Sequence, residues 1–238
     1  MNTDRPTKRE MTMLTEPEAR QYCGPMFFTR SLEVATEENI ITNGSFGLVD
    51  TGKRKVLVTC HHVWEGFQAE YSKDPNVKIC LCLDTENPVY MSGNNLIDCD
   101  KDVDLATFDM AEFLPACRQL QFFNLLSKPP TVVKKDDTLF LIGFPGCQRK
   151  PGNQFIEFGR QPFGVIVSTV EDPRFQANVT NVNWEPKKFG GISGCPAFLV
   201  TAGRANEIQL AGFAQAVMMN HLFFVHANRI NPDGTIRR

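Results

Sequence analysis

One serine in this chain sits in a run of small residues, Phe189-Gly190-Gly191-Ile192-Ser193-Gly194-Cys195-Pro196. Glycine permits backbone conformations and close approaches that a β-carbon forbids. A loop built this way can lift one hydroxyl into the open while aiming neighbouring N–H groups at a single point. Acyl transfer needs those parts: a nucleophile beside a pocket of donors for a developing oxyanion. A Gly-Ser-rich surface turn has the same composition, so the run decides nothing by itself. Two other stretches carry complementary groups. In Val56-Leu57-Val58-Thr59-Cys60-His61-His62-Val63 an apolar strand-like run leads into paired histidines, a residue type suited to general acid–base work. Neighbours on a strand face opposite ways, so at most one of His61 and His62 points into a shared site. The third stretch is Asp98-Cys99-Asp100-Lys101-Asp102-Val103-Asp104. Its carboxylates superficially match the start of a calcium loop, but Val103 stands where that loop needs glycine and Asp109 where it needs glutamate. Asp98 and Asp100 read as a solvated acidic turn. Asp104 stands apart because it opens the apolar run Leu105-Ala106-Thr107-Phe108, and a carboxylate entering a core needs a hydrogen-bonded, preferably cationic partner.

The elements that must position these groups are short strands. Residues 1–39 form a charged N-terminal extension without a motif, helical in texture from Glu16 to Tyr22. From Ile40 the chain turns to short apolar runs between turn residues. Phe46 to Val49 and Lys55 to Cys60 flank Asp50-Thr51-Gly52, a hairpin by composition, and Val77 to Leu83 and Asp104 to Phe108 continue the series. Residues 40–118 therefore read as one antiparallel unit carrying the histidines and Asp104. Residues 119–137, with Pro129-Pro130 and the charged run Lys134-Lys135-Asp136-Asp137, read as a surface linker. A second unit over 138–230 holds the runs Thr138–Phe144, Gln154–Phe158, Gly164–Val170, Ala177–Val182, Ala197–Val200, Ile208–Ala216 and His221–His226. Residues 231–238 read as a frayed polar tail. The expected fold class is all-β, in two barrels joined by the linker.

Composition narrows the function classes. At 238 residues the chain is long enough to bury a real core. A net charge of −2 offers no broad attraction to nucleic acid or anionic lipid, so neither a nucleic-acid nor a membrane partner is expected. The polar N-terminus lacks an apolar signal core, and no window approaches a membrane span. The expected location is the cytoplasm. Most of the eight cysteines lie in or beside apolar runs, where a free thiol acts as a small hydrophobe. Cys80 and Cys82 share one face of such a run, and no Cys-x-x-Cys pair suggests zinc.

Taken together, Thr59-Cys60-His61-His62, Asp104-Leu105-Ala106 and Gly191-Ile192-Ser193-Gly194-Cys195-Pro196 resemble the signatures of the trypsin-like (chymotrypsin-fold) serine proteases. They stand in that family's order of His, Asp and Ser. The run Asp137 to Gly146 resembles the opening of the second barrel in bacterial members, and the likeness spans roughly residues 40–230. The resemblance implies two six-stranded-type antiparallel β-barrels with an active-site cleft between them, no disulfides, and a serine endopeptidase acting on protein or peptide. In that scheme Ser193 attacks the scissile carbonyl, His62 takes and returns its proton, and Asp104 holds the imidazole. The Gly191 and Ser193 N–H groups form the oxyanion hole, and no cofactor or metal has a role. The family pattern selects His62 over His61, with Asp102 the runner-up to Asp104.

The chain departs from the family in three places. Ile192 stands where digestive and clotting enzymes carry an aspartate that pairs with a newly cut N-terminus, so another signal, such as an activating partner protein, is the alternative to a site formed from the start. Cys195 replaces the usual glycine two after the serine; viral relatives use a cysteine nucleophile, but at the position of Ser193. Val63 replaces a cysteine that forms a disulfide in secreted relatives. Lys187, six before the serine, and His226 are the candidates for the specificity pocket and would favour an acidic side chain. A catalytically inactive homologue that binds peptides or a partner protein in the cleft is the alternative reading.

Overall fold

The computed structural model describes residues 15–30, 40–82, 89–115, 120–151, 156–180, 190–201 and 207–238. Strands dominate, in two main groups. The first comprises β1 (Cys23–Thr29), β2 (Ile40–Asp50), β3 (Lys55–Thr59), β4 (Lys78–Leu81), β5 (Val89–Met91), β6 (Leu96–Asp100), β7 (Leu105–Asp109) and β8 (Phe123–Asn124). The hairpin expected at Asp50-Thr51-Gly52 joins β2 to β3: the Asp50 carboxylate accepts the Gly52 N–H at 2.8 Å, and the Thr51 N–H bonds the Arg54 carbonyl at 2.9 Å. The sheet runs β5-β4-β1-β2-β3-β7-β6, with β8 parallel to β2. This path does not close on itself among the described residues, so the first group is a half-barrel sheet, consistent with the first of the two expected barrels but without its closure.

Three further departures from the expected layout concern this sheet. β1 comes from the presumed extension yet lies between β4 and β2. All but the first of its residues are buried, so it lacks the polar–apolar alternation that marks a half-exposed strand. Phe123, from the presumed surface linker, is 1% exposed and packs edge-on to Tyr22 at 5.3 Å. The presumed frayed tail is also tied down. Ile236 is 3% exposed, Thr107 Oγ1 donates to the Gly234 carbonyl at 2.7 Å, and Arg238 bonds Asp98 and Asp100 at 3.1 and 2.9 Å. Ile236 supplies the apolar contact that a polar composition conceals.

The second group contains a small hairpin, β10 (Arg149–Pro151) with β11 (Ile156–Phe158), and a closed barrel. The barrel is built from β9 (Thr138–Gly143), β12 (Gln161–Val170), β13 (Arg174–Val179), β14 (Pro196–Val200), β15 (Ile208–Met218) and β16 (His221–His226), closing in the order β12-β13-β16-β15-β14-β9. Closure pairs every strand on both sides over part of its length, and phenylalanine fills the interior: Phe175 stacks on Phe224 with centroids 4.9 Å apart. One apolar cluster draws on both groups, joining Val56, Val58 and Leu105 to Phe140, Phe198 and Phe213. None of the seven described cysteines is paired in a disulfide with another of them. No helix among the described residues is long and apolar enough to cross a membrane.

A helix, α1 (His61–Lys73), interrupts the strands directly after β3. The sequence reading placed the two histidines at a strand end; they occupy the helix's first turn. Val63, Trp64 and Phe67 form its buried face. Trp64 stacks on Phe67 at 5.3 Å and meets Phe108 of β7 edge-on at 5.4 Å. Helix and sheet thereby fix His62 relative to the start of β7.

Candidate active site

His62, in the first turn of α1, meets Asp104, the residue before β7. The His62 backbone N–H donates to Asp104 Oδ1 at 3.0 Å, and His62 Nδ1 lies 3.1 and 3.0 Å from the two carboxylate oxygens. The first N–H groups of a helix have no partner within the helix, and a carboxylate there is favoured by charge as well. Two independent contacts therefore aim the carboxylate at the imidazole. Side-chain exposure is 47% for His62 and 19% for Asp104, so the ring keeps one edge open while the carboxylate is largely covered.

Asp104 holds a left-handed backbone, φ 57°. That region is disfavoured for residues with a β-carbon, aspartate being among the more tolerant, and it persists where the surroundings fix it. Here they do. The Asp100 side chain accepts the Val103 N–H at 2.8 Å. Gln215 Nε2, from β15, donates to the Val103 carbonyl at 2.6 Å and the Asp104 carbonyl at 3.4 Å. Arg174, from β13, donates to the Asp102 carbonyl and, through Nε, to Gln215 Oε1 at 3.2 Å. Two barrel side chains thus hold the turn that carries Asp104.

Ser193 lies in the turn before β14. Its hydroxyl donates to the Gln215 carbonyl at 2.9 Å. Gly191 and Gly194 have φ of +105° and +91°. A β-carbon on Gly194 would overlap the Ser45 carbonyl, and one on Gly191 would overlap the Asn43 amide, so both positions require glycine. The carbonyls along this turn are taken in sequence: Gly190 O by the Gly146 N–H at 2.8 Å, Gly191 O by Ser45 Oγ at 2.7 Å, Ile192 O by the Cys195 N–H at 3.0 Å and Ser193 O by the Ser45 N–H at 2.8 Å. In a trans peptide the N–H points opposite to the carbonyl. Anchoring Gly190 O and Ile192 O therefore fixes the directions of the Gly191 and Ser193 N–H groups. Neither has a protein acceptor among the described residues.

Ser193 and Asp104 both bond Gln215. Gly44 lies between the Val63 side chain and the Ser193 carbonyl. The structure brings His62 and Asp104 into direct contact and gives the Ser193 hydroxyl to Gln215 rather than to the imidazole. The other candidates fall elsewhere. Asp102 is exposed. Cys195 is fully buried in the barrel core, with Sγ 2.8 Å from the Ile142 carbonyl, and burial raises its thiol pKa well above the ordinary range. Its side chain thus points away from the turn's open side. His226 is 6% exposed with its ring centroid 4.9 Å from that of Phe175, and burial lowers its pKa. No bond or ring contact joins it to the Ser193 turn among the described residues. Lys187 lies outside those residues. Sequence reasoning missed Gln215, Arg174, Ser45 and Asn43. Gln215 alone left a signal, as a polar residue within the apolar run of β15. Cys60, fully buried, donates to the Ala214 carbonyl at 3.1 Å, and its sulfur lies with a His62 ring nitrogen and an Asp104 oxygen inside a 4.8 Å cluster able to hold a metal.

No family model matches this sequence, and no curated protein matches it either. Among solved structures the chain is similar to the serine endoprotease from Yersinia pestis, at 15% identity and a TM-score of 0.57 over 94% of this chain. The match spans 64% of that protein's chain. At this identity the likeness is one of fold: a protease-like arrangement of β-barrel and sheet.

Proposed function

We propose that this chain is a serine endopeptidase whose catalytic triad is His62, Asp104 and Ser193. The observation that carries the reading is the His62–Asp104 pair, held by two contacts on the carboxylate; the fixed N–H directions of the Ser193 turn support it. With Nδ1 bonded to Asp104, the imidazole presents Nε2 as the base. Rotation about the Ser193 Cα–Cβ bond moves Oγ from the Gln215 carbonyl towards that nitrogen, and such bonds commonly tighten only when substrate is bound. Ser193 then attacks the scissile carbonyl and His62 takes its proton. His62 returns that proton to the leaving amine, and water releases the acyl group by the same route. Asp104 holds the tautomer and stabilises the imidazolium. The Gly191 and Ser193 N–H groups receive the oxyanion, each worth about 2.7–4 kcal/mol in comparable sites.

Several features support an extended peptide as substrate. Beyond Phe213, β15 pairs with β16 on one side and has no strand on the other among the described residues. A peptide can add there as a further strand in a cleft between the barrel and the first sheet, with the latter acting as the family's first barrel. Cysteines that form no disulfide with one another among the described residues support a reducing, cytoplasmic setting. The serine endoprotease fold of the solved relative supports the reaction class.

A second reading is favoured by one observation: the Ser193 hydroxyl is bonded to Gln215, as in a resting or inactive peptide binder. A serine-reactive fluorophosphonate distinguishes the two. Labelling of the parent but not of Ser193→Ala supports the endopeptidase. If neither is labelled, with peptide substrates and candidate activating proteins present, the binder is correct.

A further inference from the structure

A third ligand atom converges on the His62–Asp104 pair. The Cys60 sulfur, a His62 ring nitrogen and an Asp104 oxygen lie within 4.8 Å of one another. We propose that these three residues form a zinc-type site, at which a divalent transition ion binds reversibly and holds the protein inactive. The binding claim stands on the donor set alone; the inhibition rests on the endopeptidase reading.

Thiolate, imidazole and carboxylate are the donors zinc takes, at about 2.3, 2.0–2.1 and 2.0–2.2 Å respectively. Donors around such an ion stand roughly 3–4 Å apart. The 3.0 Å His62 Nδ1–Asp104 Oδ2 distance is at the near end of that range, and a modest rotation of Cys60 brings its sulfur in. Calcium and magnesium need a shell of oxygens that this trio lacks. Charge also balances: one thiolate and one carboxylate neutralise a divalent ion, so the covered site carries no net charge. The His62 backbone N–H holds Oδ1 at 3.0 Å and leaves Oδ2 to face the ion, the kind of supporting contact that orients a metal ligand. The half-exposed side of His62 leaves a fourth position for water.

The protons account for the effect. Binding moves the imidazole proton from Nδ1 to Nε2 and releases the Cys60 thiol proton to solvent, at the loss of the 3.1 Å bond to the Ala214 carbonyl. With Nδ1 on the metal and a proton on Nε2, the ring has no lone pair with which to accept the Ser193 proton. The ion therefore disables the base without blocking the cleft. A thiol at position 60 makes this possible, and serine or alanine there does not.

The test uses the full chain, reduced and metal-free, titrated with Co2+. A thiolate-to-cobalt absorption band should saturate at one ion per chain and disappear when Zn2+ is added. The band should persist in Ser193→Ala and in Cys147→Ser, which removes an exposed thiol. Cys60→Ser should weaken binding by more than the 10–100-fold typical of losing a supporting group; His62→Ala, at a half-exposed position, should do the same if Cys60→Ser does not fold. Absence of the band in the parent, or its survival in both variants, overturns the site. Fluorophosphonate labelling is followed in parallel. One equivalent of Zn2+ should suppress it and a chelator restore it; unaltered labelling with the ion bound overturns the inhibition. If the metal-free protein is never labelled, the endopeptidase reading fails, and the cobalt band still decides the site.

Discussion

The side-chain amide of Gln215 holds the main chain of Asp104 while the carbonyl of the same glutamine holds the Ser193 hydroxyl. A single barrel residue thus touches two of the three groups proposed to act together. In Gln215→Ala the Val103 and Asp104 carbonyls lose this donor, and the left-handed turn loses a restraint. Turnover should fall by about 10–100-fold, the size of effect expected when a supporting group is removed. Stability should fall by about 1–3 kcal/mol, because buried polar groups are left unpaired. Steady-state kinetics with parallel urea melts measure both. An unchanged rate would remove Gln215 from the machinery.

Asp104→Asn separates geometry from charge. Asparagine tolerates the left-handed region as well as aspartate does, and its amide oxygen can still accept the His62 backbone N–H. The fold should survive with a near-parental melting temperature. The rate should drop by about 10⁴-fold, because an amide N–H facing Nδ1 selects the wrong tautomer. A drop of less than tenfold would show that Asp104 does not hold the imidazole.

Ser45→Ala removes the donor that fixes the Gly191 carbonyl at 2.7 Å. The Gly191–Ile192 peptide, which joins the two peptides that carry the proposed oxyanion donors, then loses its anchor, and the spacing of those donors relaxes. The expected outcome is a loss in kcat of about 10–100-fold with little change in KM, since the hole acts on the transition state. Single-turnover acylation measures it; a change confined to KM would assign Ser45 to substrate binding.

His226 provides a pH signature separate from catalysis. Burial keeps its folded pKa below the ordinary 6.5; Asp172 opposes that shift, Arg229 adds to it, and a backbone hydrogen bond at Glu171 opposes it. Below pH 6.5 the unfolded chain takes up a proton that the folded chain resists, so stability is lost as pH falls from 6.5 towards the folded value. Above 6.5 the term is absent. Asp172, whose pKa Arg229 lowers, contributes stability that is lost only below about 3.8, outside this window. Thermal melts at pH 7.5 and 5.5 should show a decline in the parent that is smaller in His226→Phe, which retains an aromatic ring against Phe175. Equal declines would place the sensitive group elsewhere.

Legibility in the sequence followed local pattern. The β2–β3 hairpin and the strands β9, β14, β15 and β16 lie within a few residues of the runs read from apolar patterning and turn residues. α1 was missed because His61 and His62 directly follow a strand, and the helical face of Val63, Trp64 and Phe67 reads as a continuation of the apolar run. β1 was missed because its Gly24-Pro25 pair suggests a turn and its continuous burial removes alternation. At the site, residue types pointed to Asp104 and to one of His61 and His62; the family resemblance selected His62, which the structure brings to Asp104. Gln215 was not legible: its contact with Val103 spans 112 positions, and no local pattern encodes such a contact.

The C-terminal segment has a consequence for biosynthesis. Pro232 and Gly234 accept hydrogen bonds from Thr51 and Thr107, and Ile236 completes a cluster with Val56, Val58 and Leu105. The sheet built from residues 23–124 therefore waits for residues 232–236, which are made more than a hundred positions later. While the chain emerges from the ribosome, that sheet stays incomplete, and full rigidity around Asp104 should arrive only after residue 236 is free. Stalled nascent chains ending before Pro232 should be far more sensitive to a probe protease in the first sheet than chains extending past Arg238; equal resistance would mean that the sheet folds without its final strap.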